Sequence, residues 1–248
     1  MSAELYALTH RGNVGDVEFY RDKCRGARSV LELGSGTGRL LARLARPGLR
    51  LVGLERDPAF IALARRNLRV LPPSKRKAVR VVQGDMRDFE LGQDFERVLI
   101  PYNSLYCLLG QRAALACFRA ARRALVPGGT LSLDVWNAES FQRSPVTPLA
   151  HDADQPVVSV VHDRRTWDVY EHLSVRRARQ RLVATYTYVP REGGAVVRMP
   201  IPQRYFLNAE LCALLARAGF AIEARYGDFS GGRYTARSAQ LIVLARAV

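Results

Sequence analysis

Residues 31–39 read Leu31-Glu32-Leu33-Gly34-Ser35-Gly36-Thr37-Gly38-Arg39, a run of alternate glycines between a short apolar segment and a helical one. A backbone can turn this sharply, and admit a ligand into contact with it, where side chains are missing; such strand-to-helix turns lie at the carboxyl edge of open α/β sheets. The dinucleotide spacing G-x-G-x-x-G fails in both frames, because Arg39 and Leu41 stand where the last glycine belongs. The Gly-Lys-Ser/Thr of a phosphate-binding loop is absent as well, so NAD and ATP are disfavoured.

The apolar pattern on either side is that of alternating strands and helices, hence a parallel sheet. Strands are predicted over 29–33, 49–54, 79–82, 97–100 and 130–136, and helices over 39–46, 58–70 and 112–125, the last stopping before Pro127-Gly128-Gly129. Beyond Asn137 the period changes to two, predicting antiparallel strands at 157–162, 166–172, 182–189 and 196–206. A helix over 209–218, ended by Gly219, and strands at 220–225 and 239–245 complete the chain. The expected fold is α/β, a doubly wound seven-stranded sheet with an antiparallel β insertion after the fifth strand. Its divisions are an N-terminal segment 1–28, a core 29–137, an insertion 138–206 and closing elements 207–248.

At 248 residues with 48% apolar composition the chain can bury a core of its own. No apolar run approaches the roughly 18 residues that cross a bilayer, and the first ten residues lack a basic start followed by an apolar stretch. Four cysteines and four histidines show no C-x-x-C or H-x-x-x-H spacing, so no metal site is expected and a reduced, cytoplasmic setting fits. The formal charge of +15 raises nucleic acid as a partner. Residues 39–80 alone hold twelve basic and two acidic residues. Many of them, Arg39, Arg43, Arg46, Arg65, Arg66 and Arg69 included, fall on the first two predicted helices, where a solvated charged face is the simpler reading.

Glu55 closes the second predicted strand, 21 residues after Gly34, where a carboxylate can accept from both ribose hydroxyls; Asp85, in Gly84-Asp85-Met86, follows the third. With ELGSGTGR at 32–39 and PGGTLSLDV at 127–135, these residues resemble the successive motifs of class I S-adenosylmethionine-dependent methyltransferases, over about 29–137. The resemblance implies a Rossmann-like fold and S-adenosylmethionine as cofactor. Gly34, Gly36 and Gly38 would border its methionine part, Glu55 hold its ribose, and Asp85 and Met86 its adenine, with Tyr6, Ser35, Arg39, Arg56, Pro101 and Leu105 also in contact. The segment 1–28 would act as a lid and the insertion would face the acceptor.

The later chain resembles small-molecule methyltransferases of the glycine and aminosugar N-methyltransferase kind, through Tyr102-Asn103-Ser104-Leu105, Asp134-Val135-Trp136-Asn137, Arg204-Tyr205-Phe206 and Tyr226-Gly227-Asp228-Phe229. Cys107 departs from the histidine common in that loop of aminosugar enzymes. Tyr20, His10 and Tyr102 are the catalytic candidates, and Asn103, Asp134, Trp136, Arg204, Tyr226, Asp228, Arg233 and Tyr234 the acceptor-side ones. His151, His162 and His172 fall in the insertion, where a solvated histidine is the simpler reading. The expected activity is methyl transfer to a small molecule, an amine before a hydroxyl, with room in the charge for an anionic acceptor. DNA is disfavoured, because Ile100-Pro101-Tyr102-Asn103 is not the Pro-Pro motif of base-flipping amino-methylating enzymes and no Pro-Cys occurs. RNA methylation, aminopropyl transfer and a non-catalytic cofactor sensor are weaker alternatives, and the oligomeric state is not legible.

Overall fold

A computed structural model describes residues 2–144 and 155–248; His151 lies outside them. Five parallel strands, β1 (Ser29–Leu33), β2 (Arg50–Glu55), β3 (Val79–Gln83), β4 (Phe95–Ile100) and β5 (Leu125–Trp136), join β10 (Phe220–Tyr226) and β11 (Gln240–Ala247) in one sheet of order β10-β11-β5-β4-β1-β2-β3. Only β11 runs against its neighbours. The order reverses between β1 and β4, which places a crevice at the carboxyl ends of those two strands.

β1 is buried on both faces because both are covered. Val30 packs with α3 (Arg39–Leu44) and α4 (Pro58–Leu68) through Leu40, Leu41 and Ile61. Leu31 and Leu33 pack with α6 (Gln111–Arg123) and α8 (Asn208–Arg217) through Phe118 and Leu214. α4 starts where Asp57 accepts from the Ala59 amide at 2.8 Å and Pro58 takes the first turn.

A second, antiparallel sheet holds β6 (Val158–His162), β7 (Arg165–Arg176), β8 (Arg181–Pro190) and β9 (Val197–Arg204) in sequence order. β9 is an edge strand and carries Pro200 and Pro202. On this sheet lies α1 (Ser2–Thr9), whose Leu5 is buried with Val160, Trp167, Val169 and Tyr188. Glu4 pairs with Arg66 of α4 at 2.5 Å and faces His162 of β6 at 3.4 Å, so α1 ties the two sheets together. His162 is thereby half-enclosed, whereas His172 is exposed.

Boundaries differ from expectation where local signals compete. β5 begins at Leu125 because 126–129 bulge out of the strand: pairing steps from Phe95–Leu125 to Arg97–Thr130, with Gly128 at φ 72°. α1, α2 (Asp16–Lys23), α5 (Pro73–Arg76) and α7 (Ala138–Arg143) were not expected. Yet α2 advertises itself by acids in its first turn and bases in its last, the charge order that complements a helix dipole.

The solvated-face reading of the arginines needs correction at Arg39 and Arg46, whereas Arg66 keeps 62% of its side chain exposed while pairing with Glu4. Arg39 forms a two-pronged ion pair with Asp16, whose side chain is 3% exposed. Arg46 donates to the carbonyls of Cys24 and Ala27, and Arg66 binds Glu4. These arginines bolt the N-terminal helices to the sheet domain, whereas Arg43 and Arg69 are exposed. Arg39→Met strands a buried carboxylate and is expected to cost about 3 kcal/mol in denaturant unfolding, with Arg43→Met remaining within about 0.5 kcal/mol of wild type.

Candidate active site

The glycine turn is held from below. The amides of Gly34 and Ser35 both donate to the Leu54 carbonyl at the end of β2, at 2.9 and 3.1 Å. Gly34 (φ 71°) lies under Ser104, where a Cβ would press on that side chain at 3.0 Å and approach Met86 Cε at 3.6 Å. Gly36 (φ 53°) forms the crest, where a Cβ would meet nothing within 4 Å, so bare backbone faces the crevice.

Glu55 reaches up from β2. One carboxylate oxygen accepts from the Gly36 amide at 2.8 Å and the other from the Arg56 and Asp57 amides at 2.8 and 2.9 Å. Asp85 is gripped by Arg87, whose hydrogen bonds hold its carboxyl below the usual range. Over this edge stands α1: Tyr6 meets Phe60 edge-on at 5.2 Å and stacks on His10 at 3.9 Å. Burial pushes the Tyr6 phenol well above its ordinary value and pulls His10 down to about 4. The His10 Nδ1 lies 3.1 Å from the Tyr6 carbonyl, so that nitrogen carries the proton and Nε2 keeps its lone pair.

After β4 the chain enters the left-handed region at two successive non-glycine residues, Tyr102 (φ 52°) and Asn103 (φ 61°). Three bonds hold this strained corner. The Tyr102 amide donates to Asp134 at 2.9 Å, the Asn103 amide to the Asp134 carbonyl at 3.1 Å, and the Trp136 amide to Asn103 Oδ1 at 2.6 Å. Asp134 itself is 1% exposed and also accepts from the Tyr20 hydroxyl at 2.5 Å. Burial raises its carboxyl to about 6. Glu32, at the foot of the turn, is likewise pushed up by burial, to about 8, and its Oε2 has no partner among the described residues.

A cavity of about 440 Å³ opens beside this corner. Leu8, Thr9, His10 and Arg11 wall it from the end of α1, Tyr102 from the β4 corner, and Val157, Val158, Ser159, Glu171 and Tyr186 from the second sheet. Of the expected catalytic and acceptor residues only His10 and Tyr102 line it. Tyr20 is fully buried on Asp134.

The rest hold the fold. Asn103 and Asp134 secure the corner. Trp136 packs between Tyr106, Phe141 and Tyr205. Arg204 is 8% exposed, paired with Glu210 and lying over the Phe206 ring. Tyr226 packs on Phe19 of α2, Arg233 is bridged to it, Tyr234 donates to Asn137, and Asp228 accepts from the Ser230 and Gly232 amides. On the cofactor side, Ser35 turns its hydroxyl beneath the loop against Gly53, Gly38 packs on Ala64, and Arg39 is engaged by Asp16. Pro101 and Leu105 are buried under the crevice, and Arg56 is exposed at its rim.

Glu171 was missed, although the sequence carries a signal for it: among the inward residues Trp167, Val169, Glu171, Leu173 and Val175 it is the only charged one. Among the described residues no cluster of three or more His, Cys, Asp or Glu could hold a metal, and no helix is long and apolar enough to cross a membrane.

Residues 30–129 match the family model of a methyltransferase domain. The chain is 28% identical over 219 residues to the cypemycin N-terminal methyltransferase of a Streptomyces species, covering 88% of this chain and 82% of that protein. It superposes on the CcbJ methyltransferase of Streptomyces caelestis with a TM-score of 0.78 at 28% identity, over 94% and 89% of the two chains. Residues 30–129 thus carry a methyltransferase domain, and the protein is an S-adenosylmethionine-dependent methyltransferase. A further neighbour is the sugar N-methyltransferase KedS8 of Streptoalloteichus, at 28% identity, a TM-score of 0.70 and coverage of 96% and 91%.

The crevice suits that cofactor: a bare glycine crest, a carboxylate at the end of β2 and the Met86 methyl at Gly34 offer contacts for its amino-acid, ribose and base parts. Glu55→Ala should weaken S-adenosylmethionine binding about tenfold by calorimetry. Glu32 binds its proton more tightly folded than unfolded, so the methyltransferase should lose stability as pH rises from about 4.5 to about 8. Thermal melts of Glu32→Gln should lack that slope, its advantage over wild type widening up to pH 8.

Proposed function

We propose that the methyltransferase acts on the nitrogen of a small-molecule amine. The observation that carries this reading is the cavity beside Tyr102 and His10: its volume of about 440 Å³ suits a ring-sized acceptor, and it opens at the corner of the cofactor crevice. The relatives whose names specify nitrogen methylation support it. The charge of +15, with Arg11 on the cavity wall, supports an acceptor that also bears an anionic group.

S-adenosylmethionine supplies a methyl group already activated by its sulfonium. What the chain adds is binding and orientation. Glu55 would hold the ribose, Asp85 and Met86 the adenine, and the backbone of Gly34–Gly38 the amino-acid part; segment 1–28, through Tyr6, would act as the lid. Tyr102, fixed by Asp134, orients the acceptor. His10 is neutral through the physiological range and presents the Nε2 lone pair as a hydrogen-bond acceptor that orients the amine N–H, the ammonium proton being lost to water before transfer, with Tyr20 holding Asp134 rather than touching substrate.

A screen of amines, amino acids, aminosugars and phenols for release of S-adenosylhomocysteine is expected to give turnover with amines. Turnover confined to phenols, or to RNA with steep salt sensitivity, would replace the reading. His10→Gln should lower kcat about 100-fold while leaving S-adenosylmethionine affinity within about twofold.

A further inference from the structure

Glu171 stands in register opposite Tyr186 on the neighbouring strand, and the Tyr186 hydroxyl donates to its Oε1 at 2.6 Å. Both residues line the cavity. Among the described residues Tyr186 is the one hydrogen-bond partner of this carboxylate, and no arginine, lysine or histidine forms a salt bridge with it. The basic groups of the cavity, Arg11 and His10, form no ion pair with it among the described residues. Arg11 donates through Nε to the Leu8 carbonyl, and His10, meeting Tyr186 edge-on at 4.5 Å, is neutral.

A half-buried carboxylate on an otherwise apolar strand face costs stability unless a cation compensates it. A hydrogen bond from a phenol fixes its direction but leaves its charge uncompensated. Part of the wall around it is apolar or aromatic, through Leu8, Val157, Tyr102 and Tyr186, which strengthens its field toward a cation that enters on that side.

We propose that Glu171 is the cation-reading residue of the acceptor site: it pairs with the ammonium form of the amine as it enters and selects it over neutral molecules of the same shape. Tyr186 is the positioning residue that aims it. This rests on the amine reading above and names the side chain that would enforce it.

The test compares cyclohexylamine with cyclohexanol, near-isosteric rings small enough for the cavity, as ligands of the full-length protein loaded with S-adenosylhomocysteine. Dissociation constants would be taken from saturation-transfer NMR. Wild type is expected to prefer the amine about tenfold or more. Glu171→Gln, which can still accept from Tyr186, should reduce that preference to about twofold or less, with a melting temperature at or above that of wild type and unchanged S-adenosylhomocysteine affinity, and Glu171→Asp should restore part of it. Tyr186→Phe should weaken the preference about threefold. An equal affinity of wild type for the two rings, or a preference that survives in Glu171→Gln, overturns the proposal. Turnover restricted to hydroxyl acceptors ends the amine reading itself. Amine turnover with an unaltered KM in Glu171→Gln ends only the assignment of Glu171.

Discussion

The working edge of this protein depends on one buried carboxylate. Asp134 leaves the end of β5 with almost no solvent contact and collects donors from three distant segments: the Tyr20 hydroxyl of α2, the Tyr102 amide after β4 and, at 3.4 Å, the Asn13 side chain. Burying that charge is costly, as its raised affinity for a proton shows, and the donors offset the cost. Because they come from three segments, the carboxylate fixes where each segment lies. The strained Tyr102–Asn103 corner is one result. The seating of α2, reinforced by Asp16 on Arg39, is another.

The cofactor half of the site was legible because its signals are local. A glycine run between strand and helix, and acids at the ends of the next two strands, each follow from a few adjacent residues. The sheet order places all three on one edge. The seven-stranded α/β plan and its antiparallel insertion were legible for the same reason, as each period is written within eight or ten residues. The proposed acceptor half was not. Its walls come from residues 8–11, 102, 157–159, 171 and 186, and no local pattern announces that these meet. Motif neighbours such as Asn103, Asp134 and Arg204 drew attention instead, and they prove to be internal fastenings. The arginines misled in a similar way: helix periodicity shows which of them share a face, but not that Asp16, 23 residues upstream of Arg39, waits against that face.

The architecture separates two tasks between two sheets. The parallel sheet supplies the crevice and the rigid corner after β4, while the antiparallel sheet supplies the wall across from it. α1 spans the gap, with Leu5 buried in one layer and Tyr6 leaning on Phe60 of the other. The last residues of α1 and the two that follow it, 8–11, line the cavity, so the same short helix borders both the crevice and the cavity.

The two prolines of β9 bear on how such molecules behave in a crowded solution. An exposed strand edge is a template on which another chain can polymerise, and its grip comes from a row of amide hydrogens. Positions 200 and 202 contribute none. A stray strand meeting that edge would find two successive outward amides missing, so this edge is a poor template for edge-to-edge pairing.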